Sequence, residues 1–576
     1  MAESTLLCLE LLGTFGCLMI AAALGRGSAL WNLQACFGRL AARKRVAILV
    51  VALTPAAARL ALLPALPIPA PVDLEEFAHF LQADTYASGR LTNPPHPMAE
   101  HLETFQELMR PTYCSFRPPG HALFMAVGQV LFGHPWAGIV LSVCAFGASL
   151  CWMLQGWTSP GWALFGSLVF TCWYGIFGYW MNSYWGGAPA AAGGCLVLGA
   201  LPRIQASQKI ADALWFSAGA ALMLLTRAYE GMFVLAPATA AMLIWLIRGG
   251  SAAPLKRKLL RVVFPLTAAL SLFIAWNLYY NWRTVGNPFI TPYQVGRGMY
   301  NMAAPFIFEQ PNLNIHYRYE AMRAFFQDWE MATYNFARNP VGYWLAALGK
   351  VWQFWRLCIR PELTLPLLLI PAVVRFRKLR VPVAILALAI AGLSIETWSP
   401  PYYYAPITGA LVILMIAALR YAASLGSHGR RIGPVLVRGL SLACTATLLA
   451  CVAIILTHTV VQGEYAYHWI APDGRMEMRR QTERELESIP GRHLVIVHYR
   501  ADHDPHLEWV WNRADIDNSR VVWARSMNGP KDAELIRYFH DRKVWILEPD
   551  DPPFQLVPVR PDDARLETRA GLATKP

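Results

Sequence analysis

Two adjacent carboxylates, Glu75 and Glu76, open a helical pattern (EEFAHFLQADTYASG) just after a stretch holding Pro64, Pro67, Pro69 and Pro71. Acids at such a helix start read in two ways. They can face water and favour the helix dipole, or one of them can act as a general base that takes a hydroxyl proton at hydrogen-bonding distance. His79 lies one helical turn from both and is spaced to orient a carboxylate. In the same polar segment Tyr113 and Arg117 lead into the Pro118-Pro119-Gly120 turn. A guanidinium there suits a phosphate through paired hydrogen bonds; the alternative is ordinary snorkelling of a long side chain. Arg227 and Glu230, in TRAYEG, fall at the end of an apolar run. They are either a structural pair closing a helix end or functional groups at a depth where charge is costly. Asn182, Ser183, Tyr184 and Trp185 follow another apolar run. Sugar hydroxyls suit Asn and Ser and sugar faces suit Tyr and Trp, while an aromatic interface belt is the competing reading. A second polar segment offers Arg283, Arg297, Tyr300, His316, Tyr317, Arg318 and Tyr319 to a phosphate, and nothing in the sequence ranks them.

His96, His101, Glu103 and His121 are near one another in sequence but match no zinc spacing. No metal ligand set is assigned; a divalent metal stays possible, and no cofactor is certain. The chain carries no Walker glycine loop and no GxGxxG, which argues against ATP hydrolysis within it.

The elements that must position these groups follow from composition. The chain has 576 residues, 55% hydrophobic and only 15% charged, against roughly 25% charged in an ordinary soluble domain. Disorder needs the opposite balance. Eleven cysteines in so long a chain do not make a disulfide scaffold; nearly all lie in or beside apolar runs, as small buried hydrophobes do. Runs long enough to cross a bilayer, about 20 apolar residues, fall near 6–25, 46–66, 137–157, 161–180, 184–201, 210–226, 231–247, 261–281, 362–375, 381–396, 402–420 and 439–461. The expected fold class is an all-α polytopic membrane protein with about 12 spans. The formal charge of +13 is gathered in short connectors: Arg26, Arg39, Arg43, Lys44 and Arg45; Arg248, Lys256, Arg257, Lys258 and Arg261; Arg375, Arg377, Lys378 and Arg380; Arg420, Arg430, Arg431 and Arg438. Threading the spans puts all of these on one side, as the positive-inside rule requires, so the charge points to no nucleic acid. It leaves the acid-bearing loops 67–136 and 282–361, with the tail after 462, on the outer side of a plasma (inner) membrane. Two further apolar stretches, 119–133 and 341–358, read as helices in the interface plane.

The chain thus divides into a membrane domain over 1–461 and an extracytoplasmic domain over 462–576. In the latter, 493–499 and 520–525 read as short buried strands, 532–541 as a helix and 543–548 as a strand, the pattern of a small α/β domain. The Pro- and Asp-rich last stretch reads as a loose tail.

Four stretches in order carry a resemblance: Thr85 to Pro97, Tyr113 to Gly120 (an aromatic followed by a Pro-Pro-Gly turn), Tyr179 to Gly187 (YWMNSYWGG) and Thr226 to Gly231 (TRAYEG). With the acidic pair just after a span, they resemble membrane glycosyltransferases of the GT-C type. The likeness is to the bacterial branch related to the dolichyl-phosphate-mannose-protein mannosyltransferase and aminoarabinose transferase families, and it runs through most of the chain. It implies transfer of a sugar from a polyprenyl-phosphate-type lipid donor to an acceptor at the outer membrane face, the acceptor being unspecified. Lined up through Ala83, Asp84, Thr85 and Tyr86, the family's Asp-Glu pair falls on Glu75 and Glu76, which are then the expected catalytic residues; the first acid is Glu where the family has Asp. At 399–406 (SPPYYYAP) Tyr402 stands where relatives have His. Arg117 and Arg227 are the expected donor-phosphate ligands, and Tyr113, Asn182, Tyr184, Trp185, Glu230 and Tyr402 the expected substrate-binding residues. The competing functions are a transporter or flippase of a lipid-linked sugar and an inactive GT-C relative. A transporter favours ionisable or broken-helix features at the midplane and an internal repeat, whereas here polar residues gather in loops and no repeat is found.

Overall fold

The computed structural model describes residues 3–23, 28–248, 254–426, 432–459, 474–550 and 556–559. Arg26, Arg430, Arg431 and most of the expected loose tail, 560–576, lie outside them. The chain divides into two compact units, one of 1–69, 118–275 and 339–471, the other of 70–117, 276–338 and 472–576. The second unit therefore joins the tail to parts of both acid-bearing loops, a grouping that differs from the chain-order division at 461.

The first unit is helical. Among the described residues seven helices are long and apolar enough to cross a membrane: Ser4–Ala23, Pro135–Trp157, Pro160–Asn182, Ala228–Ile247, Leu255–Val285, Arg377–Ile395 and Ile432–Leu456. Their packing shows what solvates them. The Pro135–Trp157 helix has 67% of its apolar window buried in protein, the Leu255–Val285 helix only 6%. An apolar helix so bare needs lipid around it, and the chain is a multi-pass membrane protein. Shorter apolar helices cover Gly120–Phe132, Ile210–Thr226 and Thr408–Ala423. The run expected as one span over 362–375 is instead a helix Arg360–Leu368 followed by a four-residue turn of helix, Ile370–Val373. Pro366, inside the first helix, and Pro371, at the start of the second, remove amide donors that would have made it continuous. Close helix packing uses small residues: a Cβ on Gly193 would lie 2.7 Å from the Gly219 carbonyl oxygen, so the Ala188–Ser207 and Ile210–Thr226 helices touch backbone to backbone there.

The second unit mixes helix and sheet. A two-stranded antiparallel ribbon pairs β1 (Glu107–Leu108) with β2 (Cys114–Ser115). Four strands, β3 (His493–Val497), β4 (Val521–Arg525), β5 (Lys543–Leu547) and β6 (Leu556–Pro558), form a sheet in the order β4-β3-β5-β6. The central β3 runs parallel to β4 and β5, and β6 runs antiparallel to β5. β3 and β4 are buried throughout, as strands covered on both faces must be. Two apolar clusters bind the segments of this unit together. One gathers Leu74, Phe77, Phe105, Phe116, Phe325, Phe326 and Trp511; the other gathers Leu81, Leu102, Tyr113, Ile496, Val522 and Leu535. Phe77 stacks flat on Trp511 at 4.8 Å between centroids, and the Ala514 amide donates to Asp84 Oδ2 at 3.0 Å. The acid-bearing helix is thus seated on the tail by ring stacking at its start and a hydrogen bond near its end.

Candidate functional site

The helix that carries the acidic pair spans Leu74–Ala87. Its start is fixed by a capping box. The Asp73 carboxylate accepts from the Glu75 amide at 2.8 Å, and Glu76 Oε2 accepts from the amides of Val72 (2.6 Å) and Asp73 (3.2 Å). Its end is set by Ser88 and by Gly89, which sits at φ +73°, as glycine allows. The two neighbouring acids therefore have different jobs. Glu76 holds two backbone amides. Glu75, only 3% exposed, presents Oε2 to Arg117 Nη2 at 3.1 Å and Oε1 to His79 Nε2 at 3.7 Å.

Helical periodicity explains the rest of this cluster. Residues 75, 79, 82 and 86 recur at three- and four-residue steps and line one face. Gln82 Nε2 donates to the Arg117 carbonyl at 2.9 Å and to Tyr280 Oη at 3.2 Å, and Tyr86 donates to Tyr280 Oη at 3.2 Å. Ser115 Oγ accepts from the Arg117 amide at 3.1 Å. The helix that carries Glu75 thus also fixes the backbone of the arginine paired with it. Sequence reasoning placed His79 here but missed Gln82 and Tyr280, although the spacing of Gln82 from Glu75 was open to view. Arg117, expected on a donor phosphate, has Nη2 on Glu75. Tyr113 is buried in the second apolar cluster and its hydroxyl donates to the Asn512 carbonyl at 3.2 Å, a tie between the hairpin and the tail. Burial pushes the neighbouring Glu107 carboxyl well above the usual carboxylate range.

The first unit holds a second constellation. Arg227 is the residue between the Ile210–Thr226 and Ala228–Ile247 helices. Its guanidinium lies 3.9 Å from the ring centre of Tyr402 and 4.8 Å from that of Tyr403. Trp185 meets Tyr402 edge-on at 6.0 Å. Glu230 is buried nearby in the same helix start, and Glu396, also buried, is within electrostatic reach of Glu230, Arg227 and Lys350. Lys350 Nζ donates to the carbonyls of Leu393 (3.0 Å) and Glu396 (2.5 Å), capping the end of the helix that finishes at Ile395. Lys350 and Glu396 were not singled out from the sequence; they lie far along the chain from Arg227 and in no motif with it.

Of the residues expected to touch substrate, the structure gathers Arg227, Glu230, Trp185 and Tyr402, and gives Asn182 and Tyr184 other partners. Asn182 Nδ2 donates to the Ile176 (3.0 Å) and Gly178 (2.8 Å) carbonyls, and its Oδ1 accepts from Arg59 Nε at 3.2 Å. Arg59 also donates to the carbonyls of Leu66 (2.6 Å) and Pro67 (2.9 Å), and Tyr184 donates to that of Pro69 at 3.1 Å. These residues pin the proline-rich stretch against the YWMNSYWGG turn. Gly187 in that turn sits at φ +120°, and a Cβ there would come within 2.4 Å of Trp180 Nε1, so the motif is glycine for steric reasons. An aromatic-walled cavity is bounded by Trp173, Tyr174, Trp180 and Tyr404. Among the described residues no three of His, Cys, Asp and Glu gather as a metal site; His96 instead approaches Asp517 at 3.2 Å, and His101 approaches the Arg525 carbonyl at 3.0 Å.

No protein-family model matches the chain, and no curated protein does. Among solved structures the chain is similar to ArnT from Cupriavidus metallidurans in the apo state, over 86% of this chain and 92% of that one, at 13% identity and a TM-score of 0.48. The same protein bound to undecaprenyl phosphate matches over the same shares at 14% identity and a TM-score of 0.45. The apo oligosaccharyltransferase of Archaeoglobus fulgidus matches over 88% of this chain and 69% of its own, at 10% identity and a TM-score of 0.40.

Proposed function

We propose that this protein is a membrane glycosyltransferase that moves a sugar from a polyprenyl-phosphate-type lipid donor to an acceptor at the outer face of a plasma (inner) membrane, with about 12 spans and its tail outside the cytoplasm. The observation that carries the reading is the division of labour at the helix start. One acid takes two backbone amides on one oxygen, and the other is buried with a guanidinium on one oxygen and an imidazole near the other. An ion pair favours the ionised carboxylate, the form from which a general base must start.

In this reading Glu75 takes the proton from an acceptor hydroxyl as its oxygen bonds to the anomeric carbon. The bond from that carbon to the phosphate oxygen breaks, and polyprenyl phosphate leaves with the electron pair. Arg117 and His79 keep Glu75 oriented. Arg227, held over Tyr402 and Tyr403 in the first unit, is a guanidinium of the kind that suits the phosphate of a lipid donor. Trp185, Glu230 and Glu396 offer a ring face and acceptors to sugar hydroxyls.

Transferase and transporter separate in one assay. Purified protein in vesicles, given a lipid-linked sugar on the outer face and a range of acceptors, should release polyprenyl phosphate. Movement of intact donor across the vesicle without release would reject the transferase and support a flippase.

A further inference from the structure

Inside the first unit a buried charge cluster links a crevice to the aromatic-walled cavity. Glu10 lies within the Ser4–Ala23 span and is buried. Arg356 Nη1 donates to its Oε2 at 2.6 Å, and Arg360 Nη2 donates to its Oε1; both arginines are buried as well. A buried ion cluster is a poor source of stability, and ionisable groups inside a span mark sites and pathways. The backbone beneath the arginines is unusual too. Arg356 belongs to a π turn, Trp355–Ile359, and Arg360, which follows it, sits at φ +66°. π turns and non-glycine residues at such angles gather where function holds them. The Arg360 guanidinium lies 3.4 Å from the ring centre of Trp173, in a second π turn, Cys172–Ile176, and Arg360 stands in the wall of the aromatic cavity. Glu10 stands in the wall of a crevice of ≈ 400 Å³ between the Ser4–Ala23 and Ile432–Leu456 helices, a volume within the range of ligand sites. Small side chains leave this space: Gly13 on one helix, Ala443, Ala446 and Ala450 on the other. Further along, the same helices meet closely, and a Cβ on Gly439 would lie 2.9 Å from Leu18 Cα.

We propose that Arg356 and Arg360 form a capture site for the phosphate of a polyprenyl-type lipid, with the lipid chain in the crevice and Glu10 holding the phosphate's place until it arrives. The inference rests on the reading of a polyprenyl-phosphate-type donor. A carboxylate that gathers two guanidiniums offers them the anionic two-oxygen edge that a phosphate also offers. The crevice lies on a helix that faces lipid: only 17% of the apolar window of Ser4–Ala23 is buried, and Leu9 and Leu12 are exposed. A chain therefore reaches it from the bilayer without crossing water. A groove between one pair of helices takes a single chain, which fits a prenyl carrier; a glycerophospholipid brings two. Glu362, on the helix that Arg360 opens, accepts from Thr447 of the crevice wall and stays as a counter-charge when Glu10 yields. Arg227 keeps its own setting over Tyr402 and Tyr403, so capture and cleavage use different arginines.

The test is binding of polyprenyl phosphate to the full-length protein in phosphatidylcholine nanodiscs, with phosphatidylglycerol as the competing lipid anion. Glu10→Gln keeps the size of the side chain and removes the rival charge. It should bind polyprenyl phosphate about 10-fold more tightly than wild type, as follows when Glu10 occupies the site in about 90% of resting molecules. A purely structural cluster predicts the opposite sign, because two buried guanidiniums would lose their partner and the fold would loosen. Should Glu10→Gln not fold, Glu10→Asp, which withdraws the carboxylate by one methylene, should also tighten binding. Glu10→Gln combined with Arg360→Met removes a charge pair together, which spares the fold, and should bind about 10-fold more weakly than Glu10→Gln, the loss of one ionic partner worth a factor of ten. Unchanged or weaker binding in folded Glu10→Gln or Glu10→Asp, or phosphatidylglycerol competing as well as polyprenyl phosphate, would overturn the proposal. The release assay separates this site from the reaction. Binding that responds to Glu10, with no release by wild type, keeps the capture site and rejects the transferase; release with binding indifferent to Glu10 rejects the capture site and keeps the transferase.

Discussion

Around Glu75 the helix start is tied by directional contacts, Arg117 on Glu75, backbone amides on Glu76 and Gln82 on the Arg117 carbonyl, whereas the faces of Tyr402 and Tyr403 are turned to the Arg227 guanidinium. The first arrangement is a network in which donor and acceptor must match in distance and angle. The second is an electrostatic attraction to ring faces, which tolerates changes that keep a flat π surface. The two regions should therefore respond differently to conservative substitution. The acid site should fail on isosteric changes that alter charge, and the arginine site should survive changes that keep the ring.

The sharpest contrast comes from removing charge. Arg227→Met keeps most of the apolar stem and removes the cation; donor cleavage should fall roughly 10²–10³-fold, the usual consequence of losing one preorganised donor to developing charge, while the protein extracts and folds normally. Arg117→Met removes the partner of a buried carboxylate, and breaking such a pair costs about 3 kcal/mol. Here both stability and turnover should fall, with a loss of melting temperature that Arg227→Met does not show. Equal thermal loss in the two variants would erase the distinction between the regions.

Smaller effects sharpen it. Tyr402→Leu should reduce donor cleavage about 5-fold, in line with a cation–π contribution of about 1 kcal/mol, and Tyr402→Phe should stay within about two-fold of wild type. A large loss in Tyr402→Phe would mean that the hydroxyl, not the ring, matters. Glu76→Gln should lower stability by about 1 kcal/mol, as loss of a cap does, with turnover of the folded fraction nearly unchanged. The smallest effect is linked to pH. The Glu330 carboxyl is raised from 4.5 to about 7 in the folded protein, so its contribution to stability is present in full below pH 4.5 and is lost as pH rises through about 7. Thermal melts of wild type across that window should show this decline, and Glu330→Gln should be flatter; parallel slopes would contradict the burial of an ionising Glu330.

Local pattern was legible in the sequence; partnership across distance was less so. The tail strands lie where apolar runs placed them, and Gly89 ends the acid-bearing helix as its freedom at positive φ suggests. The proline run at 361–371 could have warned against a single span there, because each proline deletes a donor. Glu75 and Glu76 are equivalent as letters; only the capping box, which depends on the backbone at Val72 and Asp73, assigns them different work. The union of Phe77 with Trp511 and of Asp84 with Ala514 has no periodic signature, so the joining of loops and tail in one core was not visible. Arg59 read as part of an apolar run, yet it braces the turn at 176–182 through Asn182, because a buried guanidinium needs several carbonyls and a fold must bring them to it.

The central claim is that Glu75 is the base and Glu76 its scaffold. It is tested most directly by polyprenyl phosphate release from a lipid-linked sugar, measured side by side for wild type, Glu75→Gln and Glu76→Gln at equal amounts of folded protein. With Glu75 as base, release falls roughly 10²–10⁴-fold in Glu75→Gln and stays within a few-fold of wild type in Glu76→Gln. Normal release in Glu75→Gln, or the larger loss in Glu76→Gln, would contradict it.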